Sequence, residues 1–265
     1  VANAHTLFNI ITALILFPLL PFFVKLVIAL VPGESEIISM KPKFLDRRTL
    51  HTPAAVLSAQ QEAVRMGEAA LIMVNQAVES FLEADLSPLE QIEQREELVN
   101  ALEKEITAYL AEANQYSMDE AQARALTNLM HIVNDIERIG DHAINMVELT
   151  TLLNEGDWKI SEAASSDLRS MYEVVSRISR EAIEALFQHD EAGAKRLVAD
   201  DDLVDELEKR YRSNHIERLN EGSCNPEVGV LFLDAVSNLE RIADHAVNIA
   251  EAVADIAFYK NNGFK

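Results

Sequence analysis

The sequence predicts an all-α protein. Apolar residues recur at helical spacing from Pro53 nearly to the end, strand-type alternation is absent, and the helical pattern occurs twice at an almost fixed offset. Apolar residues make up 49% of the 265 positions and aromatics only 6%, which suits a helix-rich globular chain of one or two domains.

The first element is an apolar run over residues 7–31, whose one formal charge is Lys25. At about 1.5 Å per residue a helix there is roughly 37 Å long, enough to cross a hydrocarbon core of about 30 Å at a tilt. Pro18 and Pro21 lie inside it, which membrane helices packed against neighbours accept. No basic segment precedes it and it is too long for a signal peptide, so residues 1–33 are expected to be a transmembrane helix, the end of a larger membrane domain. Residues 34–54 read as a basic linker. Lys41, Lys43, Arg47 and Arg48 cluster there, and the bias of positive charge toward the cytoplasm places the rest of the chain on that side.

The first bundle helix follows Pro53 and ends near Asp85, with Leu57, Val64, Leu71 and Val78 as an expected buried stripe and Gly67, Val74 and Phe81 as a second row. Ser87-Pro88 punctuates the chain. Leu89, Ile92, Val99, Leu102, Ile106 and Leu110 mark the second helix, and Ser117 to Glu120 offers a capping box for a third that runs to about Leu153. After Asn154-Glu155-Gly156-Asp157 the order recurs, with helices expected over 161–189, 191–220 and, past the turn at 221–226, to about residue 259. A shift of 105 superposes Met66 on Met171, Glu68 on Glu173 and Leu102-Glu103-Lys104 on Leu207-Glu208-Lys209; a shift of 103 superposes residues 131–146 on 234–249 with 8 of 16 identical. The expectation is six helices in two antiparallel three-helix bundles side by side, residues 55–154 and 158–260.

Charge narrows the function classes. With 23 basic and 44 acidic residues the formal charge is −21, so nucleic acid is excluded as a partner. The single cysteine, Cys224, allows neither an internal disulfide nor a Cys-based metal cluster. No phosphate-binding glycine loop, nucleophile elbow or H-E-x-x-H is present, and E-x-x-H of di-iron bundles is absent as well. Nothing points to an enzyme.

The acids are patterned. Glu137 and Asp141 lie four apart on the third helix, on the side shared with Val133 and Ile144, with Gly140 leaving room beside them; Glu240 and Asp244 repeat the arrangement. The second helices carry Glu96 with Asn100 and Asp201 with Asp205, so donors from neighbouring helices could converge on one patch in each half. Oxygen donors at this spacing suit hard cations or iron. Ion pairing with Arg138 and Arg241, or plain solvation, is the alternative. His142 and His245 follow each Asp about 100° further round the helix.

These residues carry a resemblance. ERIGDHAINM and ERIADHAVNI, each preceded by a helix with E/D-x-x-x-N/D, look like the two repeats of the PhoU family, over about residues 55–258. ANAHTLFN (2–9), leading into the apolar run, resembles the end of the membrane domain of bacterial sodium/phosphate cotransporters that carry a PhoU-like domain. The resemblance implies a pair of three-helix bundles regulating phosphate uptake and metal binding at Glu137, Asp141, Glu240 and Asp244, with Asp201, Asp205, Glu96 and the weaker donor Asn100 as second-helix partners. It implies iron, zinc or another divalent metal, sodium as coupling ion, phosphate as cargo, a lipid bilayer, and a second copy or a phosphate-signalling protein as partner. The implied location is the bacterial plasma membrane with the bundles in the cytoplasm. A membrane-tethered regulator without transport activity is the competing expectation.

Overall fold

The computed structural model describes residues 39–116 and 119–256, together with isolated positions among the first 19. The chain divides into two compact units, Val1–Ile37 and Ile38–Lys265. In the first, a 3₁₀ turn spans Phe17–Leu19; the expected transmembrane helix otherwise lies outside the described residues. Among the described residues no helix is long and apolar enough to cross a membrane.

The second unit is helical in every described element. Helix α1 is Ala54–Glu83, α2 Leu89–Ala113, α3 Glu120–Glu155, α4 Glu162–Gln188, α5 Glu191–Val198, α6 Asp201–Asn220 and α7 Pro226–Ile256. Helices α1, α2 and α3 pack mutually, as do α4, α7 and the α5–α6 pair; α1 meets α4 and α3 meets α7, which joins the two bundles through one layer. Gly67 permits the α1–α4 approach, because a Cβ there would come 2.5 Å from Ile183 Cδ1.

The duplication reaches the helix ends. Helices α1 and α4 both terminate in a left-handed residue, Ala84 at φ 51° and His189 at φ 54°. The following amides close onto Ser80 O and Ala185 O, each at 3.0 Å, and both the caps and their acceptors are 105 residues apart. Such a cap satisfies carbonyls that the last turn leaves open.

Four expectations need correction. The second helix of the second half is two helices, α5 and α6, so the described bundles contain seven helical segments. At the break Asp200 N–H donates to Leu197 O at 2.9 Å, and Arg177 of α4 holds the Asp200 carboxylate at 2.8 Å. Three successive aspartates, 200–202, favour a helix start over a helix interior; their counterparts in α2 are Arg95, Glu96 and Glu97, good helix formers, and α2 is unbroken. Helix α3 is capped by Asp119, whose carboxylate accepts from Gln122 N–H at 2.8 Å while Gln122 Oε1 accepts from Asp119 N–H at 3.2 Å, so the capping box lies at Asp119 and Gln122. Leu57 is 51% exposed, and Ala59, Ala63, Met66, Met73 and Ala77 form the buried stripe beside Val78 and Phe81. Gly140 is buried and faces Val99 and Met73 in the core rather than the carboxylates.

The basic segment is fastened to α1. Glu62 is fully buried; its Oε2 accepts from the backbone N–H of Lys43 and of Phe44, each at 2.7 Å, and its Oε1 pairs with Arg65 at 2.5 Å. Arg65 in turn donates to the carbonyl of Lys41 at 3.0 Å. Truncating Glu62 leaves two amides and a guanidinium without their acceptor, which costs on the order of 2–4 kcal/mol. Glu62→Ala is therefore expected to lower the unfolding free energy by that amount and to abolish hydrogen-exchange protection of the Lys43 and Phe44 amides. Unchanged protection of those two amides would contradict the fastening.

Candidate functional site

Helices α3 and α7 bury the rows Ile132, Ile136, Ile139, Ala143 and Leu239, Ile242, Ala246. Register then places Glu137 and Asp141, and Glu240 and Asp244, half-buried at the edge of that packing, toward the second helix of each half. In the first half, burial raises Glu137, Asp141 raises it further, and Glu103 of α2 adds to the effect. Glu96 is raised by burial and then by Asp141, with Asn100 opposing the rise. The structure thus brings the predicted donors of α2 and α3 into one electrostatic patch.

The second half is more strongly acidic. Burial, then Asp244, Glu208 and Asp205, push the Glu240 carboxyl up to about 7 against the opposing pull of Arg241. Asp244 is raised by burial and then by Asp201 and Asp205. Cation pairing differs in the same sense. Arg138 spans Glu137 at 3.7 Å and Asp141 at 3.6 Å, whereas Lys209 and Arg212 hold Asp205 and Glu208 at 3.1 and 2.8 Å. No cation within ion-pair distance of Glu240, Asp244 or Asp201 is found among the described residues.

Could these groups hold a metal? Among the described residues no three His, Cys, Asp or Glu side chains converge closely enough to ligate one as they stand. The chemistry of the donor set nevertheless fits a hard cation, since after burial the neighbouring carboxylates raise the proton affinity of Glu240 and of Asp244 and a positive charge among them relieves the same repulsion. Oxygen-only donors favour iron, manganese, magnesium or calcium over zinc.

His142 and His245 turn away from the acids into the α3–α7 interface. Their rings stack at 5.6 Å. His142 Nδ1 lies 2.9 Å from Asn238 Oδ1 and His245 Nδ1 2.9 Å from Asp135 Oδ1; Asn145 and Asn248 donate to the same two oxygens at 3.2 and 3.4 Å. Asp135 and Asn238 are related by the 103-residue offset, as are His142 and His245, so the crossing is a pseudo-two-fold one. Burial lowers His142, and the Asn238 contact opposes it. Sequence reasoning missed Asp135 and Asn238, although the aligned repeats contained the signal as a polar residue two positions before each glutamate.

A family model described as the PhoU domain matches residues 63–150 and 168–253, segments offset by 105 at their start and 103 at their end. The chain is 30% identical over 190 residues to the phosphate-specific transport system accessory protein PhoU homolog 1 of Thermotoga maritima, covering 71% of this chain and 81% of that protein. It is 21% identical over 255 residues to the putative inorganic phosphate export protein YjbB of Escherichia coli, covering 95% of this chain and 47% of that protein. A crystal structure of PhoU from Pseudomonas aeruginosa superposes with a TM-score of 0.73 at 24% identity, over 78% of this chain and 98% of that one.

The Glu240 carboxyl carries a pH signature. Its value of about 7 in the folded chain exceeds the ordinary 4.5, so between the two the folded state binds the extra proton and stability falls as pH rises through the folded value. In chelator-treated protein, Glu240→Gln is expected to be more stable than the parent at about pH 8, by on the order of 1 kcal/mol after solvent screening, and nearly equal to it at about pH 4.5. Denaturant titrations at both pH values measure this, and a constant difference would contradict it.

Proposed function

The chain belongs to the PhoU domain family, and from that premise we propose that it is the regulatory portion of a membrane protein that moves phosphate, with its two acidic patches as cation sites. The observation that carries the reading is the alignment with the phosphate export protein, which takes in 95% of this chain and so reaches into the apolar run before residue 31. Membrane attachment through that run, with the bundles on the cytoplasmic side, follows the charges at Lys41, Lys43, Arg47 and Arg48. Phosphate as cargo draws on the printed names of the relatives; sodium as coupling ion draws on the resemblance alone.

Each half would hold its cation between its second and third helices. Glu240 and Asp244 of α7 with Asp201 and Asp205 of α6 form one donor set; Glu137 and Asp141 of α3 with Glu96 and Asn100 of α2 form the other. A bound iron, zinc or other divalent ion would supply positive charge there, held by the carboxylates of α6 and α7 in one half and of α2 and α3 in the other, and would relieve the repulsion among them. Because α3 and α7 cross directly, each donor set is built on one side of a single shared layer, through which occupancy reaches a protein partner or a second copy.

A second reading, a tethered regulator that transports nothing, is favoured by the 81% coverage of the T. maritima accessory protein. Phosphate flux in cells expressing the full-length protein, with and without Glu137→Ala combined with Glu240→Ala, separates them. The transport reading expects a severalfold change in flux at equal protein abundance. Unchanged flux with altered expression of phosphate-responsive genes supports the second reading, and no change in either contradicts both.

A further inference from the structure

A concavity of about 200 Å³ opens where the start of α4, the end of α6 and the start of α7 meet. In a chain with 44 acidic residues, no Asp or Glu is among the described residues that line it, while Lys159 and Arg218 are. Arg218 gives Nη1 to Asp167 at 2.7 Å and lays its guanidinium over Phe232 at 5.3 Å. Its Nε and Nη2 are buried and have no partner among the described residues. Buried donors left unsatisfied are costly, and together these two form the edge of the guanidinium that matches two oxygens of one anion.

His215 supplies an independent indication. It is 3% exposed, lies tilted at 39° to the Phe232 ring with centroids 5.6 Å apart, and makes no hydrogen bond to a described residue. Gly229 admits the ring, since a Cβ there would lie 2.5 Å from His215 Nε2. Burial and then the Arg218 charge lower its pKa, so the neutral ring keeps one N–H to donate. Two long helices begin at the same rim, α4 capped by Ser161 at 3.3 Å and α7 by Asn225 at 2.8 Å, and each adds partial positive charge.

We propose that this pocket binds inorganic phosphate, with Lys159 and the Nε–Nη2 edge of Arg218 as its cationic partners and His215 as a further donor. The choice of phosphate among oxyanions rests on the phosphate-linked reading above; the anion site rests on the pocket. It is separate from the acidic patches, because Asp205 and Arg218 stand 13 residues apart on α6, about 20 Å along the helix.

Cys224 lines the pocket and is the chain's single cysteine, so its alkylation reports on this pocket alone. The experiment measures the rate of iodoacetamide alkylation of the full chain, with EDTA present, in phosphate against chloride at equal ionic strength and pH. Phosphate is expected to slow the reaction saturably, about elevenfold at ten times its Kd, and Lys159→Gln to weaken that protection. Arg218→Gln is expected to remove it; Lys159→Gln is the check that leaves the Asp167 pair intact. Equal rates in phosphate and chloride would overturn the proposal, as would protection unaltered in Lys159→Gln, or protection by phosphatidylglycerol vesicles but not by phosphate. With metal chelated and no flux measured, failure here is distinguishable from failure of the transport reading.

Discussion

The antiparallel crossing of α3 and α7 is the constraint on which the rest of the structure depends. Two histidines stack at its centre, and each reaches across to an oxygen on the other helix, Asn238 for His142 and Asp135 for His245. Once those partners meet, the apolar rows of both helices face one another and the bundles share a core. The E-x-x-x-D carboxylates, on another side of the same helices, are left at the edges toward α2 and α6. Burying one side of α3 and α7 therefore decides where the charge goes.

Duplication does not make the halves equal. Asp201 and Asp205 stand where the first half has Glu96 and Asn100, and Arg138 pairs with Glu137 and Asp141 where Arg241 pairs with neither of its acids. The second patch accordingly holds a glutamate pushed up to about 7 by burial and then by its acidic neighbours, while Glu137 is raised by burial and then by Asp141. A half-buried carboxyl among other carboxylates has the electrostatics of a cation site. Asp201 also belongs to the run of three aspartates, 200–202, at which the second helix of that half breaks, so one local change in composition alters both the charge of the patch and the helix that presents it.

Much of this was legible in the sequence because it is periodic. The helical spacing and the offsets of 105 and 103 locate the bundle helices except for the break between α5 and α6, and the family match falls on the same segments. What escaped is set by single contacts. Leu57 has the spacing of a core residue but lies on the open side of α1, and the buried stripe is made of alanines and methionines that a heptad of large residues obscures. Asp119 is the cap because its carboxylate accepts from the Gln122 amide, while Ser117 lies outside the described residues. The Glu62 fastening joins residues 18 and 19 positions apart, a separation without a periodic signature. Asp135 and Asn238 were present in the aligned repeats, yet a polar pair acquires meaning only when the helices carrying it are seen to cross.

The central claim is that the duplicated carboxylates hold a cation. Elemental analysis of the purified full chain, beside the same chain with Asp141→Ala and Asp244→Ala, tests it most directly. The account predicts near-stoichiometric iron or another divalent metal in the parent and its loss in the variant, with helix content unchanged. Metal absent from both, or present equally in both, would contradict it and return these acids to a solvated helix edge.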